Sequence, residues 1–258
     1  MTTWVLLPHR AQAFIGLTQC TGTSLNPQHT WTKELECAQL FGSCCVRIPT
    51  MLGALGSLQP YEILAWVLGL LVAVGIHEYA HARAAYALGD STAADVGRMT
   101  PNPFKHLSLW GSIFLLFFGF GWSEPVPVDP RNFRFPRRDS LLTAFAGPAA
   151  NFLTAVAFGV LTQFLPASTR LPGLTAVIVF VNLLLAFFNL IPVPPLDGSS
   201  VLPYLLDRRP EILIMLQRQG FLLLFGLILL DTLFGGQILG TLVGQPARAL
   251  TRILLGGL

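Results

Sequence analysis

Gly75-Ile76-His77-Glu78-Tyr79-Ala80-His81 reads H-E-x-x-H, and it sits in the latter half of an apolar run that opens near Ile63 and reaches Leu88. On a helix, residues four apart lie one above the other on the same face, so His77 and His81 can grip one metal ion. Glu78 lies one residue round from the first of them, where it can reach a water on that metal. The preceding residues, Ile63 to Val74, are apolar enough to span a bilayer. An ionisable group in such a helix is costly, about 2.5–3.5 kcal/mol for a charge at its centre, and a bound cation would offset that. The bare motif recurs by chance, and a lone histidine in a membrane helix is commonly a hydrogen-bonded structural residue. Two histidines and a glutamate at metal spacing in one apolar helix point to a metal instead.

The composition supports a membrane setting. Apolar residues make up 53% of the 258-residue chain against 11% charged, and mean hydropathy is +0.61, outside the range of ordinary soluble domains. The net charge of +3 comes from short basic clusters between apolar runs. Such clusters suit loops at an anionic leaflet and give no support for a nucleic-acid partner. Cys20, Cys37, Cys44 and Cys45 all fall in the first fifty residues, at a spacing that matches no metal pattern. Residues 1–50 are aperiodic and are expected to be an N-terminal extension, poorly ordered or a mis-assigned start, with Met51 a second plausible beginning. Residues 51–258 would then form the membrane domain.

Several runs approach the roughly 20 residues needed to cross about 30 Å of hydrocarbon. Spans are expected at about 61–88, 140–165, 174–195 and 212–234. The run at about 107–122 is apolar but short and holds Gly111, Gly119 and Gly121, which reads as a re-entrant or β-like segment. The stretch 237–257, interrupted by Gly244, Pro246, Arg248 and Arg252, is expected either to span or to lie at the interface. The fold class is therefore an all-α polytopic membrane protein.

A catalytic zinc takes three protein ligands and keeps a fourth position for water, so the histidine pair needs a partner. Asp197 is the best-placed carboxylate, because Pro192, Pro194 and Pro195 must unwind the end of the third span and turn the acid back into the bundle. Asp231 is the rival, alone in the fourth span. Two span ends meet on one side only if an even number of crossings separates them. The spans 140–165 and 174–195 supply two, provided 107–122 does not cross. With that topology Arg83, Arg98, Lys105, Arg131, Arg134, Arg137, Arg138, Arg208 and Arg209 face one compartment and Arg170 alone the other. The positive-inside rule makes the first compartment the cytoplasm, so the metal end of the bundle is expected on the cytoplasmic side of the cell membrane.

The motifs His77-Glu78-x-x-His81, Gly147-Pro148-x-x-Asn151 and Asn189-x-x-Pro192-x-x-x-Leu196-Asp197-Gly198 stand in this order. With the stretch Gly121 to Val128 they resemble the site-2 protease family of intramembrane zinc metalloproteases in its compact bacterial form. The resemblance covers roughly Leu58 to Phe234. It implies a site-2-protease-like helix bundle and one Zn²⁺ per chain held by His77, His81 and Asp197. It also implies Glu78 as general base and Asn189 as the residue that polarises or orients the scissile carbonyl. The implied activity is hydrolysis of a peptide bond within or near the transmembrane helix of a membrane-protein substrate. Asn151 and His106 are read as structural, and no soluble stretch is long enough for a regulatory domain. The competing reading is a zinc-binding membrane protein without proteolysis, either an inactive relative or a transporter. Polar groups gathered at one end of two spans, the absence of duplicated halves and the presence of Glu78 weigh against it.

Overall fold

The computed structural model describes residues 4–6, 59–118 and 120–256. Apart from residues 4–6, the expected N-terminal extension, its cysteines and Met51 lie outside the described residues. The elements in chain order are β1 (Trp4–Leu6), α1 (Pro60–Ala87), α2 (Leu109–Phe118), β2 (Phe120–Trp122), α3 (Pro136–Gln163), α4 (Leu171–Asn189), α5 (Pro210–Leu233) and α6 (Gln245–Leu254), with short helical turns between. Four of the described helices, α1, α3, α4 and α5, are long and apolar enough to cross a membrane. The protein is an all-α polytopic membrane protein.

Each of these four helices carries a proline in its first turn. There the missing N–H costs nothing, because the first turn has no intrahelical acceptor, and the fixed φ favours helix entry. This is why the spans start a few residues earlier than apolar runs alone suggest. In α3 the start at Pro136 takes Arg137 and Arg138 out of the expected loop and into the helix. The third span stops earlier than expected, at Asn189 instead of about 195. Pro192, Pro194 and Pro195 have no N–H to continue the ladder, so the chain leaves the helix in tight turns.

Helices α1, α3 and α4 pack on one another. Small residues on α1 (Ala73, Ala82 and Ala85, all fully buried) allow the close approach that packing between membrane helices requires. Ala73 and Val74 meet Val181 and Leu185 of α4. Helix α5 is peripheral, with Gly220, Leu224 and Asp231 its buried residues.

The ten-residue α2 is about 15 Å long at 1.5 Å per residue, too short to cross the hydrocarbon. It folds onto β2, as expected for a re-entrant, partly β-like segment. β2 pairs antiparallel with β1 in the register Trp4↔Trp122, Val5↔Gly121 and Leu6↔Phe120. Beyond β2, Ser123 bridges Leu107 and the Glu124 N–H donates to the His106 carbonyl at 2.7 Å.

The stretch expected to span or lie at the interface forms Gln237–Leu239, a wide turn over Gly240–Gly244 and α6. Its buried residues Leu239, Val243 and Ala247 recur every fourth position and join the core with Val179, Leu183 and Leu224. These residues form one apolar stripe packed against the bundle, and the stretch is not among the four candidate spans. Its last turn meets the far end of α3, where Gln163 Nε2 donates to the Leu254 carbonyl at 3.2 Å.

Asp90 locks the end of α1 to the proline-rich loop. Its carboxylate accepts from the Thr92 N–H (3.1 Å), the Asp129 N–H (2.8 Å) and the Asn132 side-chain amide (2.8 Å). Burial alone would raise its pKa, but these hydrogen bonds and that of the Thr92 hydroxyl favour the charged form and hold it below the ordinary value.

Candidate active site

His77, Glu78 and His81 lie in the second half of α1, all fully buried. Asp197, also buried, sits just past the unwound end of α4. Gly198 makes this possible: a Cβ there would lie 2.3 Å from the Leu190 carbonyl oxygen. The Leu196-Asp197-Gly198 turn therefore folds tightly back onto the helix end and points its acid at α1. The two intervening crossings bring Asp197 to the histidine end, as the parity argument requires. On that side Arg137 of α3 pairs with Asp207 at 2.7 Å. At the opposite end Arg170 lies over the Tyr61 ring, 4.5 Å from its centroid.

His77 Nε2 lies 2.9 Å from Asp197 Oδ2. His81 Nε2 stands 3.3 Å from the same oxygen without hydrogen-bond alignment. The three side chains could hold a metal ion, their ligand atoms all lying within 4.8 Å of one another. Corners of a tetrahedron around zinc, with bonds of about 2.0–2.1 Å, lie roughly 3.3 Å apart, so the donor set fits such an ion.

Three further observations support the fit. Among the described residues, His81 Nε2 and Asp197 Oδ1 have no hydrogen-bond partner despite complete burial. The other nitrogen of His81, Nδ1–H, donates to the Thr143 carbonyl of α3 at 2.7 Å. This fixes the tautomer so that the Nε2 lone pair faces Asp197. One turn on, Gly147 faces the same pair: a Cβ there would lie 2.5 Å from His81 Nε2 and 2.6 Å from His77 Nε2. The missing side chain leaves room where an ion and its remaining ligand would sit. Pro148, which has no N–H to give Ala144, loosens the helix ladder beside Thr143.

A methyl at Gly147 is therefore expected to displace the imidazoles. Gly147→Ala should cost about 1–3 kcal/mol of stability through overpacking and lower zinc affinity about 10–100-fold. Thermal unfolding followed by circular dichroism, with zinc content measured at fixed free zinc, checks both.

Glu78 Oε1 accepts a hydrogen bond from the Ser123 hydroxyl at 2.5 Å. Asn189, buried at the end of α4, donates from Nδ2 to the Leu185 carbonyl at 3.0 Å. Asn151 stands one turn beyond Gly147, fully buried, with neither amide atom partnered among the described residues. His106 Nε2–H donates to the Thr100 carbonyl at 2.9 Å, which ties the proline-broken loop together. The rival acid, Asp231, accepts from the backbone N–H groups of Ile238 and Leu239 at 2.8 and 3.1 Å, and so caps the turn after α5. Sequence reasoning missed Thr143 and Ser123, and met Gly147 only as a member of the Gly147-Pro148-x-x-Asn151 motif.

Residues 167–233 match the family model of peptidase family M50. YwhC of Bacillus subtilis (strain 168), named as a candidate zinc metalloprotease, is 41% identical over 155 residues, 57% of this chain and 69% of that protein. Rip2 of Mycolicibacterium smegmatis, similarly named, is 29% identical over 174 residues, 65% of this chain and 67% of that one. Rip2 of Mycobacterium tuberculosis (strain H37Rv) is 28% identical over 214 residues, covering 72% and 82%. No solved structure matches at a significant level. With the buried histidine–aspartate group and the four apolar helices, these likenesses lead to one assignment: the chain belongs to the peptidase M50, or site-2 protease, family.

Proposed function

We propose that this protein is a zinc-dependent intramembrane endopeptidase that hydrolyses a peptide bond within or near the transmembrane helix of a membrane-protein substrate. The observation that carries the reading is the convergence of His77, His81 and Asp197, with Glu78 beside them, inside a bundle of membrane-length helices. The names of the relatives support the metal and the class of chemistry. The basic residues around the exits of α1 and α4 support a cytoplasmic position for the catalytic end in a cell membrane. Residues 51–258 form the protease domain and residues 1–50 an extension to it.

His77, His81 and Asp197 would hold the zinc, three protein ligands being the catalytic pattern. When bound, zinc supplies Lewis acidity, lowering the pKa of a water to about 7 and polarising a carbonyl oxygen. Glu78 is the general base. It takes a proton as the water attacks the scissile carbon and delivers it to the leaving amine as the C–N bond breaks. One water is consumed, and a carboxylic acid and an amine are released. Asn189 orients the scissile carbonyl, whose oxygen can accept from a side-chain amide N–H.

A peptide bond inside an intact helix is hydrogen-bonded and shielded, so the substrate must unwind locally. An extended segment can then add to β2 by edge pairing. Residues 4–6 of this chain already lie antiparallel on β2, which supports the competence of that backbone for such pairing. Purified protein should cut a tagged single-span substrate within the cytoplasmic half of its span, with products mapped by mass spectrometry. Cuts confined to soluble loops would contradict the intramembrane reading.

A further inference from the structure

We infer that Ser123 is a positioning residue for the general base, an inference that rests on the endopeptidase reading above. Ser123 is 45 residues from Glu78 in sequence, yet its hydroxyl donates to Glu78 Oε1 at 2.5 Å, and both side chains are buried. A glutamate side chain has three rotatable bonds, and a single hydrogen bond from a fixed donor selects among its rotamers. The donor here is fixed. Ser123 follows β2 directly, bridges Leu107, and is followed by Glu124, whose N–H donates to the His106 carbonyl at 2.7 Å. Glu124 is tied by an ion pair to Arg98. The hydroxyl is therefore mounted on backbone pinned to the His106–Leu107 segment, as a supporting group must be to hold a catalytic one.

The location gives the contact a functional meaning. Ser123 lines a small, mainly apolar cleft together with Leu70 and Val74 of α1 and Gly111, Leu115 and Trp122 of the re-entrant segment. Val74 is one turn before Glu78 on the same face. The cleft thus has α1, the helix that carries the base, on one wall and the β2 segment proposed to pair with substrate on another. A serine here fixes one carboxylate oxygen, so the orientation of the other is set before substrate arrives. Such preorganisation raises turnover without adding to substrate binding.

The test compares Ser123→Ala, Ser123→Thr and Ser123→Val with the parent, in steady-state cleavage of a single-span substrate by purified protein. Threonine and valine have nearly the same shape and differ in the hydroxyl. The expected result is a fall in kcat of about 10–100-fold in Ser123→Ala and Ser123→Val, with KM and zinc content unchanged and most of kcat restored in Ser123→Thr. The infrared difference between parent and Glu78→Gln isolates the Glu78 carboxylate stretch. That band should shift in Ser123→Val and return in Ser123→Thr, whatever the activity. Equal kcat in threonine and valine forms, an effect confined to KM, loss of zinc in the valine form, or an unmoved carboxylate band would each overturn the proposal. The endopeptidase reading fails separately, if the parent shows no cleavage that depends on Glu78, and the infrared comparison still decides the contact in that case.

Discussion

Glu78→Gln is expected to lower kcat by about 10²–10⁴-fold, the range that general acid–base catalysis contributes, while the protein keeps its zinc. In energy this is roughly 3–5 kcal/mol of transition-state stabilisation. Glutamine matches glutamate in shape and keeps an oxygen able to accept from the Ser123 hydroxyl, so packing at this fully buried position is preserved. It cannot take up a proton at neutral pH, and that is the one property the proposed mechanism needs. The expected signature is accumulation of uncut tagged substrate on co-expression, with binding retained in a pull-down and zinc content equal to the parent. Equal product from parent and variant would leave a zinc-binding membrane protein without proteolysis.

The second large effect concerns the metal. Asp197→Ala and His81→Ala should each leave two of the three proposed ligands. Loss even of a supporting hydrogen bond costs about 10–100-fold in metal affinity, so loss of a ligand should exceed that and reduce cleavage to background. Asp231→Ala is the control, since both acids stand at or beyond the end of an apolar helix and are buried. Asp231 is occupied in accepting two backbone N–H groups. Its removal should lower thermal stability by about 1–3 kcal/mol for the orphaned donors and leave zinc content unchanged. Elemental analysis of purified variants, normalised to protein, reads all three outcomes. Zinc that survives Asp197→Ala and disappears in Asp231→Ala would reverse the choice of acid.

Much of this arrangement is legible in the chain itself, and the reason is periodicity. His77 and His81 are one helical turn apart, so their common face follows from spacing alone. The placement of Asp197 follows from the parity of crossings, from the short length of the re-entrant run and from prolines that must end a helix. Boundaries were less legible. Apolarity marks where lipid contact begins, whereas α3 starts at Pro136 because a proline without an N–H suits a first turn, ahead of Arg137 and Arg138.

The supporting groups were not legible for a different reason. Thr143 acts through its carbonyl, 62 residues from His81, and any residue type supplies a carbonyl. Gly147 acts through the side chain it lacks, which in isolation reads like any glycine in a membrane helix. Ser123 lies within a recognisable stretch, but its contact with Glu78 depends on the re-entrant segment folding back against α1. The stretch 237–257 was harder to read because its core contacts, Leu239, Val243 and Ala247, recur every fourth position around interrupting glycine and proline.

The central claim is that two imidazoles of α1 and the carboxylate after α4 surround one zinc. X-ray absorption at the zinc edge of the purified, full-length protein addresses it most directly. The account predicts nitrogen and oxygen neighbours only, at about 2.0–2.1 Å, with the outer-shell scattering of two imidazoles, and a change in that scattering in His81→Ala. Sulfur neighbours at about 2.3 Å, or a spectrum that His81→Ala leaves unchanged, would contradict it.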